Sequence, residues 1–309
     1  LSISARKEDW LMLVGNERSL SFHMEQLYNL FKDAPTLGSL INPWRMLREY
    51  ALFSQNWESL KPILDSALTQ EGSDEKVEMG VAAKGMLRAV NLLAGTYPLI
   101  VTNVPYLARG KQSECLRNFI GLYYNDARQD LATAFLDRSL ELAQKSGTVG
   151  IVCPQNWLSL PAYSALRKRI LKSDRLDVLI KLGPGAFGTI SGEVVNVALI
   201  IITGDSPAAE HQYGGVDLTS IGGIQKKAEC LAINKWRTVL QEDALYGPDS
   251  RITLETRGNV KTLGEYANSP QGIKTGDDGR FRRNWWELST FDERWRPFQG
   301  TPESDGFIG

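Results

Sequence analysis

Metal-ligating and disulfide-forming side chains are scarce in this chain. Its 309 residues include two histidines and three cysteines. Cys115, Cys153 and Cys230 share no Cys-x-x-Cys spacing, and His23 and His211 lie far apart, which argues against both a structural zinc site and a disulfide framework. Long apolar runs are missing too. No stretch approaches the roughly 20 residues of a membrane-spanning helix and no secretory leader is visible, so the expected compartment is the cytoplasm, with no membrane partner. Excess charge of one sign is the third absence. A formal net charge of -1 gives no global signature of nucleic-acid binding, so any such contact must come from local clusters. What is present is a 42% hydrophobic composition, enough for one sizeable core with satellites in two or three modules.

The most informative stretch is Asn103-Val104-Pro105-Tyr106, where the apolar run Pro98-Leu99-Ile100-Val101-Thr102 gives out into a loop. An amide, a proline-stiffened turn and an aromatic ring at the carboxyl end of a buried strand suit the grip on an extruded nucleobase. The exocyclic amine of adenine is a poor nucleophile because its lone pair is delocalised into the ring. Acceptors for its two N–H groups steer that lone pair outward. Asn103 offers a side-chain carbonyl and Val104 a backbone carbonyl for this task. Pro105 fixes its own φ and biases Val104 towards extended geometry, while Tyr106 offers a face for stacking. The same four residues would also serve simply to end a strand in an Asn-Pro turn. Context decides between the two.

The order of elements supplies that context. Asp130 to Lys145 has helical apolar spacing with Gly147 as a stop, and Thr148 to Cys153 is a short apolar run expected as a strand buried on both faces. Cys153 there reads as a small hydrophobe. Pro161 to Leu171 follows as a helix capped by Ser159, with Ala162, Leu166 and Ile170 inward and Arg167, Lys168 and Arg169 mostly outward. Two strands come next, Leu176 to Leu182 and Val194 to Thr203. The eleven or so residues between them, rich in glycine, are too few for a parallel crossover, so the last strand must run antiparallel. Gly183-Pro184-Gly185-Ala186-Phe187-Gly188 matches a dinucleotide-binding glycine pattern, yet it leads into a strand instead of opening a helix. It is expected as a mobile loop bordering the site.

Asn103-Val104-Pro105-Tyr106 resembles the Asn/Asp-Pro-Pro-Tyr motif of amino-group DNA methyltransferases. The pieces VTNVPYL, DLATAFLDRSLEL, GTVGIVCPQNWL, LIKLGPGAFGTISGEVVNVALIII and GIKTGDDGRFRRNWWEL follow the order found in adenine-N6 methyltransferases of the BREX phage-defence and type IIG restriction-modification kinds. Thr36 to Ile41 is similar to their pre-catalytic helical region. The resemblance implies an α/β fold, a partial class I methyltransferase sheet in which parallel strands end in an antiparallel β-hairpin. It implies that Asn103 and the Val104 carbonyl bind the adenine amine, that Pro105 shapes the turn, that Tyr106 stacks on the base, and that S-adenosylmethionine donates the methyl group. DNA is the implied partner, with other phage-defence proteins beside it. Val104 departs from the family, where proline is usual; the change keeps the carbonyl and frees a φ angle. The other reading is a catalytically inactive, methyltransferase-like DNA-binding or specificity component.

No acidic or aromatic residue leading into Gly-x-Gly lies upstream of Asn103, so the cofactor-binding residues are not assigned, and the chain is read as an internal piece of a longer protein that would bind cofactor poorly alone. Arg109 and Lys111 are candidates for a phosphate beside the base, solvated loop cations being the plain alternative. Lys274, Arg280, Arg282 and Arg283, close to Trp285 and Trp286, are candidates for DNA contact, with core aromatics under arginines as the alternative. The expected organisation is a helical region over 1–95, the carboxyl half of a catalytic domain over 96–205, a connecting region over 206–258 and the start of a target-recognition domain over 259–309. In the first region, Ser21 to Lys32, Met46 to Leu68 and Val77 to Leu93 are expected helices covering one face of the sheet. Gln70 to Lys76 is an expected linker, and His23 a helix-surface or core-edge residue.

Overall fold

The computed structural model describes residues 6–12, 18–46, 74–186, 195–233, 236–255, 266–267, 277–290 and 292–296. The expected helix beyond Met46 and most of the glycine loop, from 187 to 194, lie outside them, as do Lys274 and the segments around it. The chain divides into two compact units, Leu1–Arg257 and Gly258–Gly309.

The first unit is built on a six-stranded sheet in the order β1-β2-β4-β3-β5-β6. Its strands are β1 Tyr97–Asn103, β2 Ala143–Pro154, β3 Arg175–Gly183, β4 Val197–Thr203, β5 Gln212–Asp217 and β6 Arg237–Leu240. β1 pairs with β2 in parallel and β3 with β5 in parallel, while β4 lies antiparallel between β2 and β3. The α/β class and the reversed strand are as expected. The reversal follows from chain length: Pro184 to Asn196 is too short to cross the sheet, so β4 returns beside β3 and slots against β2.

In the expected connecting region, 206–258, the described residues extend the sheet. β5 joins β3 because Gly215 has no side chain; a Cβ there would clash with the Leu179 carbonyl oxygen. β6 then pairs antiparallel with β5, and the region adds the helices Ile224–Ile233 and Gln241–Tyr246.

Helix α1, Arg18–Phe31, buries Met24, Leu27, Leu30 and Phe31. Phe22 is half-buried, and His23 is 6% exposed, at the core edge. Helix α2, Asp74–Ala94, buries Met79, Ala83, Met86, Leu87 and Val90 at helical spacing. The helix takes in Asp74 to Lys76, part of the expected linker.

Helix α3 is Glu114–Tyr123 and helix α4 is Leu131–Leu142. The amino-terminal helices are tied to β1 by Tyr97 Oη, which donates to the Leu92 carbonyl at 2.7 Å, and to the region of α3 and α4 by Tyr124 and Arg138. Tyr124 Oη donates to the Leu40 carbonyl at 2.7 Å, and Arg138 of α4 donates to the carbonyls of Ser39 at 3.1 Å, Ile41 at 3.0 Å and Leu93. α4 ends at Leu142, earlier than Gly147, and β2 begins at once. Gly147 serves another purpose: a Cβ there would meet the Tyr97 carbonyl oxygen at 2.8 Å.

Helix α5, Ser164–Ser173, starts after a tight turn at Pro161–Tyr163 and takes no cap from Ser159. Leu166 and Ile170 are buried as expected, but Ala162 is exposed and Arg167 is wholly buried. The correction has a clear cause. Arg167 donates to the carbonyls of Trp157 at 2.6 Å, Leu160 at 2.8 Å, Asp249 at 2.7 Å and Ser250 at 3.1 Å, so its charge is spread over peptide oxygens.

In the second unit, Asp278–Phe281 forms one helical turn and Trp285–Glu287 another, the latter closed by a reciprocal capping box between Asn284 and Glu287. Trp285 and Trp286 meet edge to face, with centroids 5.6 Å apart. They are 78% and 65% exposed, which overturns their reading as core aromatics.

Candidate active site

The carboxyl ends of β1, β2 and β3 are Asn103, Pro154 and Gly183, and they share one edge of the sheet. That edge is where α/β sheets present ligands. Asn103 closes β1 opposite Val152, and its side chain is exposed. Its carboxamide makes no hydrogen bond to another described residue, so both polar ends are free for a substrate.

Val104 turns the other way. It is 6% exposed and part of the main core. Burying a valine side chain stabilises by about 1.5–2 kcal/mol, and branching at Cβ limits its rotamers. Packing thus anchors position 104, where the resembled motif carries the first of its two prolines.

Pro105 is exposed, and the Tyr106 ring is half-buried, packed against the core. The Tyr106 hydroxyl is buried with no hydrogen-bond partner. Its pKa is pushed up to about 12, first by burial and then by Cys153 and Asp130. The phenol is therefore neutral at any working pH, and the ring is a flat, uncharged surface.

The loop after Tyr106 is fastened to the start of α4. Asp130 caps that helix by accepting from the Ala132 N–H at 2.8 Å, and the same oxygen accepts from the Leu107 N–H at 3.3 Å. The Leu107 carbonyl accepts from the Leu131 N–H and from Gln112 Nε2, both at 3.0 Å. The Arg109 N–H donates to the Gln129 carbonyl at 2.9 Å. Burial raises the Asp130 pKa, and the two backbone hydrogen bonds from Ala132 and Leu107 oppose that rise. Cys153, at the end of β2, is fully buried and accepts from Trp157 Nε1 at 3.2 Å; burial pushes its thiol up to about 12. It is a packing residue.

Asp130 and Gln112 carry site architecture that the sequence reading did not assign to them. An acidic residue just before a helical apolar repeat is a recognised cap signal, which would have found Asp130. Gln112 has no such local signal.

Arg109 and Lys111 lie in a short turn, Arg109–Lys111, with Arg109 half-buried and its Nη1 buried without a partner. Lys111 is exposed. Arg280, Arg282 and Arg283 are exposed in the second unit, where Arg280 stands 5.2 Å above the Phe281 ring and Arg283 donates to the Arg282 carbonyl. A cleft of about 630 Å³ lined by Lys145, Arg175, Asp205 and His211 belongs to the opposite edge, where β2 and β3 begin. Among the described residues no group of three or more His, Cys, Asp or Glu side chains is placed to hold a metal ion, and no helix is long and apolar enough to cross a membrane.

On the exposed face of β1 that ends in Asn103, Leu99 and Val101 are apolar and stand at 61% and 77% exposure. The described residues do not make up a donor site.

The site thus lies at the carboxyl edge of an α/β sheet with one reversed strand, on the Asn103–Tyr106 loop. Residues 18–187 match the family model of the Eco57I restriction-modification methylases, and the chain belongs to that family. It is similar to the adenine-specific methyltransferase PglX of Lacticaseibacillus casei (strain Zhang), 32% identical over 240 residues that make up 72% of this chain and 20% of the relative. It is also similar to the adenine-specific methyltransferase BrxX of Escherichia coli O9:H4 (strain HS), 30% identical over 271 residues, 84% of this chain and 22% of the relative. The chain spans about a fifth of the length of these two relatives. Among solved structures, the ATP-dependent type ISP restriction-modification enzyme LlaBIII bound to DNA aligns with a TM-score of 0.45 at 15% identity, covering 70% of this chain and 17% of that one.

Proposed function

We propose that this chain is part of a site-specific DNA methyltransferase that moves a methyl group from S-adenosylmethionine to the N6 amine of adenine, in phage defence or restriction-modification. The carrying observation is the edge formed by Asn103 to Tyr106: an exposed carboxamide beside a core-anchored peptide and a neutral, half-buried ring. The names of the two relatives support adenine as the target. In this reading Asn103 Oδ1 and the Val104 carbonyl accept from the amine, Pro105 holds the turn, and Tyr106 stacks on the base at about 1–3 kcal/mol. Arg109 and Lys111 neutralise phosphate beside the base. Lys274, Arg280, Arg282 and Arg283 contact DNA from the second unit, whose exposed tryptophans add stacking faces. DNA and other phage-defence proteins are the partners, and the cytoplasm is the place of action, because the DNA substrate is there.

The test uses the full-length protein with isotopically labelled S-adenosylmethionine and adenine-containing DNA. The expected product is labelled N6-methyladenine. Binding of DNA with no label transferred would overturn the enzymatic reading.

A further inference from the structure

The seven residues from Tyr106 to Gln112 hold three buried polar atoms without partners: the Tyr106 hydroxyl, Arg109 Nη1 and Gln112 Oε1. Gln112 is 5% exposed, and of its two amide ends only Nε2 is used, on the Leu107 carbonyl at 3.0 Å. Burying an amide with one end unsatisfied is costly, and an apolar side chain of equal length would fill the same space without that cost. The single bond it does make is therefore the informative one.

That bond completes a two-sided hold on one peptide unit. Leu107 donates its N–H to Asp130 and receives both the Leu131 N–H and Gln112 Nε2 on its carbonyl. Asp130 and Leu131 locate Leu107 relative to α4. Gln112 adds a second direction, because it stands just before Ser113, whose hydroxyl caps α3 by accepting from the Leu116 N–H. Leu107 is thus fixed between two helix starts, one residue after Tyr106 and three after Val104.

We propose that Gln112 is a positioning residue for the Asn103–Tyr106 grip, acting through the Leu107 carbonyl to set the height of the Tyr106 ring and the aim of the Val104 carbonyl. This rests on the methyltransferase reading. Small misplacements of such groups cost on the order of tenfold to a hundredfold in rate.

The experiment compares the full-length protein with Gln112→Met, which keeps the volume and removes the donor. Four quantities are read: kcat and KM for DNA, melting temperature, and hydrogen exchange at the Leu107 amide. The expected result is a kcat lower by about tenfold or more with KM and melting temperature near wild type. Faster exchange confined to residues 106–108 is expected with it. Unchanged kcat and unchanged exchange would overturn the proposal, as would a loss of kcat matched by faster exchange throughout α4, which would mark a merely structural residue. Gln112→Glu, which sets an acceptor against the Leu107 carbonyl, is expected to lower kcat at least as far; full activity in that variant would count against the proposal. If wild type itself transfers no methyl group, the functional reading fails, and the local exchange at Leu107 alone decides whether Gln112 holds the loop.

Discussion

Asp130 and Leu107 are joined by a hydrogen bond of 3.3 Å from the Leu107 N–H to Asp130 Oδ1, across 23 positions of the chain. The oxygen that starts helix α4 therefore also stops the loop that carries the candidate amine-binding residues. Site geometry and helix capping share one carboxylate, and changes at Asp130 should register in both.

Asp130→Ala removes a cap and leaves the Leu107 N–H without its acceptor, with an expected loss of about 2 kcal/mol in unfolding free energy. Asp130→Asn retains a carbonyl oxygen and is expected to cost much less near pH 4. Burial raises the Asp130 pKa above its usual 3.8. The folded chain then binds this proton more tightly than the unfolded chain, so the contribution is fully present below the unfolded value and is lost as pH rises through the folded one. Asparagine has no proton to lose, so Asp130→Asn should gain on wild type as pH climbs from about 4 towards neutrality. Urea unfolding across that range checks this; a stability difference independent of pH would contradict it.

Arg167 presents a different balance. Its guanidinium is wholly buried and serves carbonyls on both sides of α5, from Trp157 to Ser250. Arg167→Met leaves several of these oxygens unpaired, at about 1–3 kcal/mol each, and the expected total loss is about 3 kcal/mol or more. Arg167→Lys should also destabilise clearly, since an ammonium lacks the planar fork that reaches separate carbonyls. Denaturant titration of both variants is the check, and a lysine variant as stable as wild type would show that charge alone suffices.

The cysteines should separate by reactivity. Cys115 is exposed, whereas Cys153 is buried with its thiol pushed up to about 12. A thiol-specific reagent at pH 8 is expected to modify Cys115 in the folded protein and Cys153 only after unfolding, because the thiolate is the reactive form. Peptide mapping with and without denaturant reads this out directly. Early modification of Cys153 would mean that the end of β2 opens readily.

Much of the core sheet was legible in the sequence because its signals are local. Apolar runs marked β1 to β4, and the short glycine-rich link forced β4 to reverse. β5 and β6 were missed. QYGGVD has two glycines where side-chain alternation would announce a strand, and its place beside β3 depends on Gly215 meeting Leu179, 36 positions away. Arg167 was misplaced for a related reason: a basic triplet in a helix reads as a solvated face unless the distant carbonyls of Asp249 and Ser250 are known. The position of Asn103 to Tyr106 at the end of β1 could be read because the apolar run and the turn signal are contiguous. Gln112 could not, since its meaning lies in a single bond to Leu107 that no spacing rule encodes.

The most direct measurement is methyl transfer by the full-length protein carrying Asn103→Ala, followed as N6-methyladenine in DNA beside its DNA affinity at fixed salt. Removing the exposed carboxamide should lower transfer by about a hundredfold or more, while nonspecific affinity, governed by phosphate contacts, stays within about twofold. Transfer at the wild-type rate, or an equal loss of transfer and affinity, would contradict the assignment of Asn103 as the acceptor for the adenine amine.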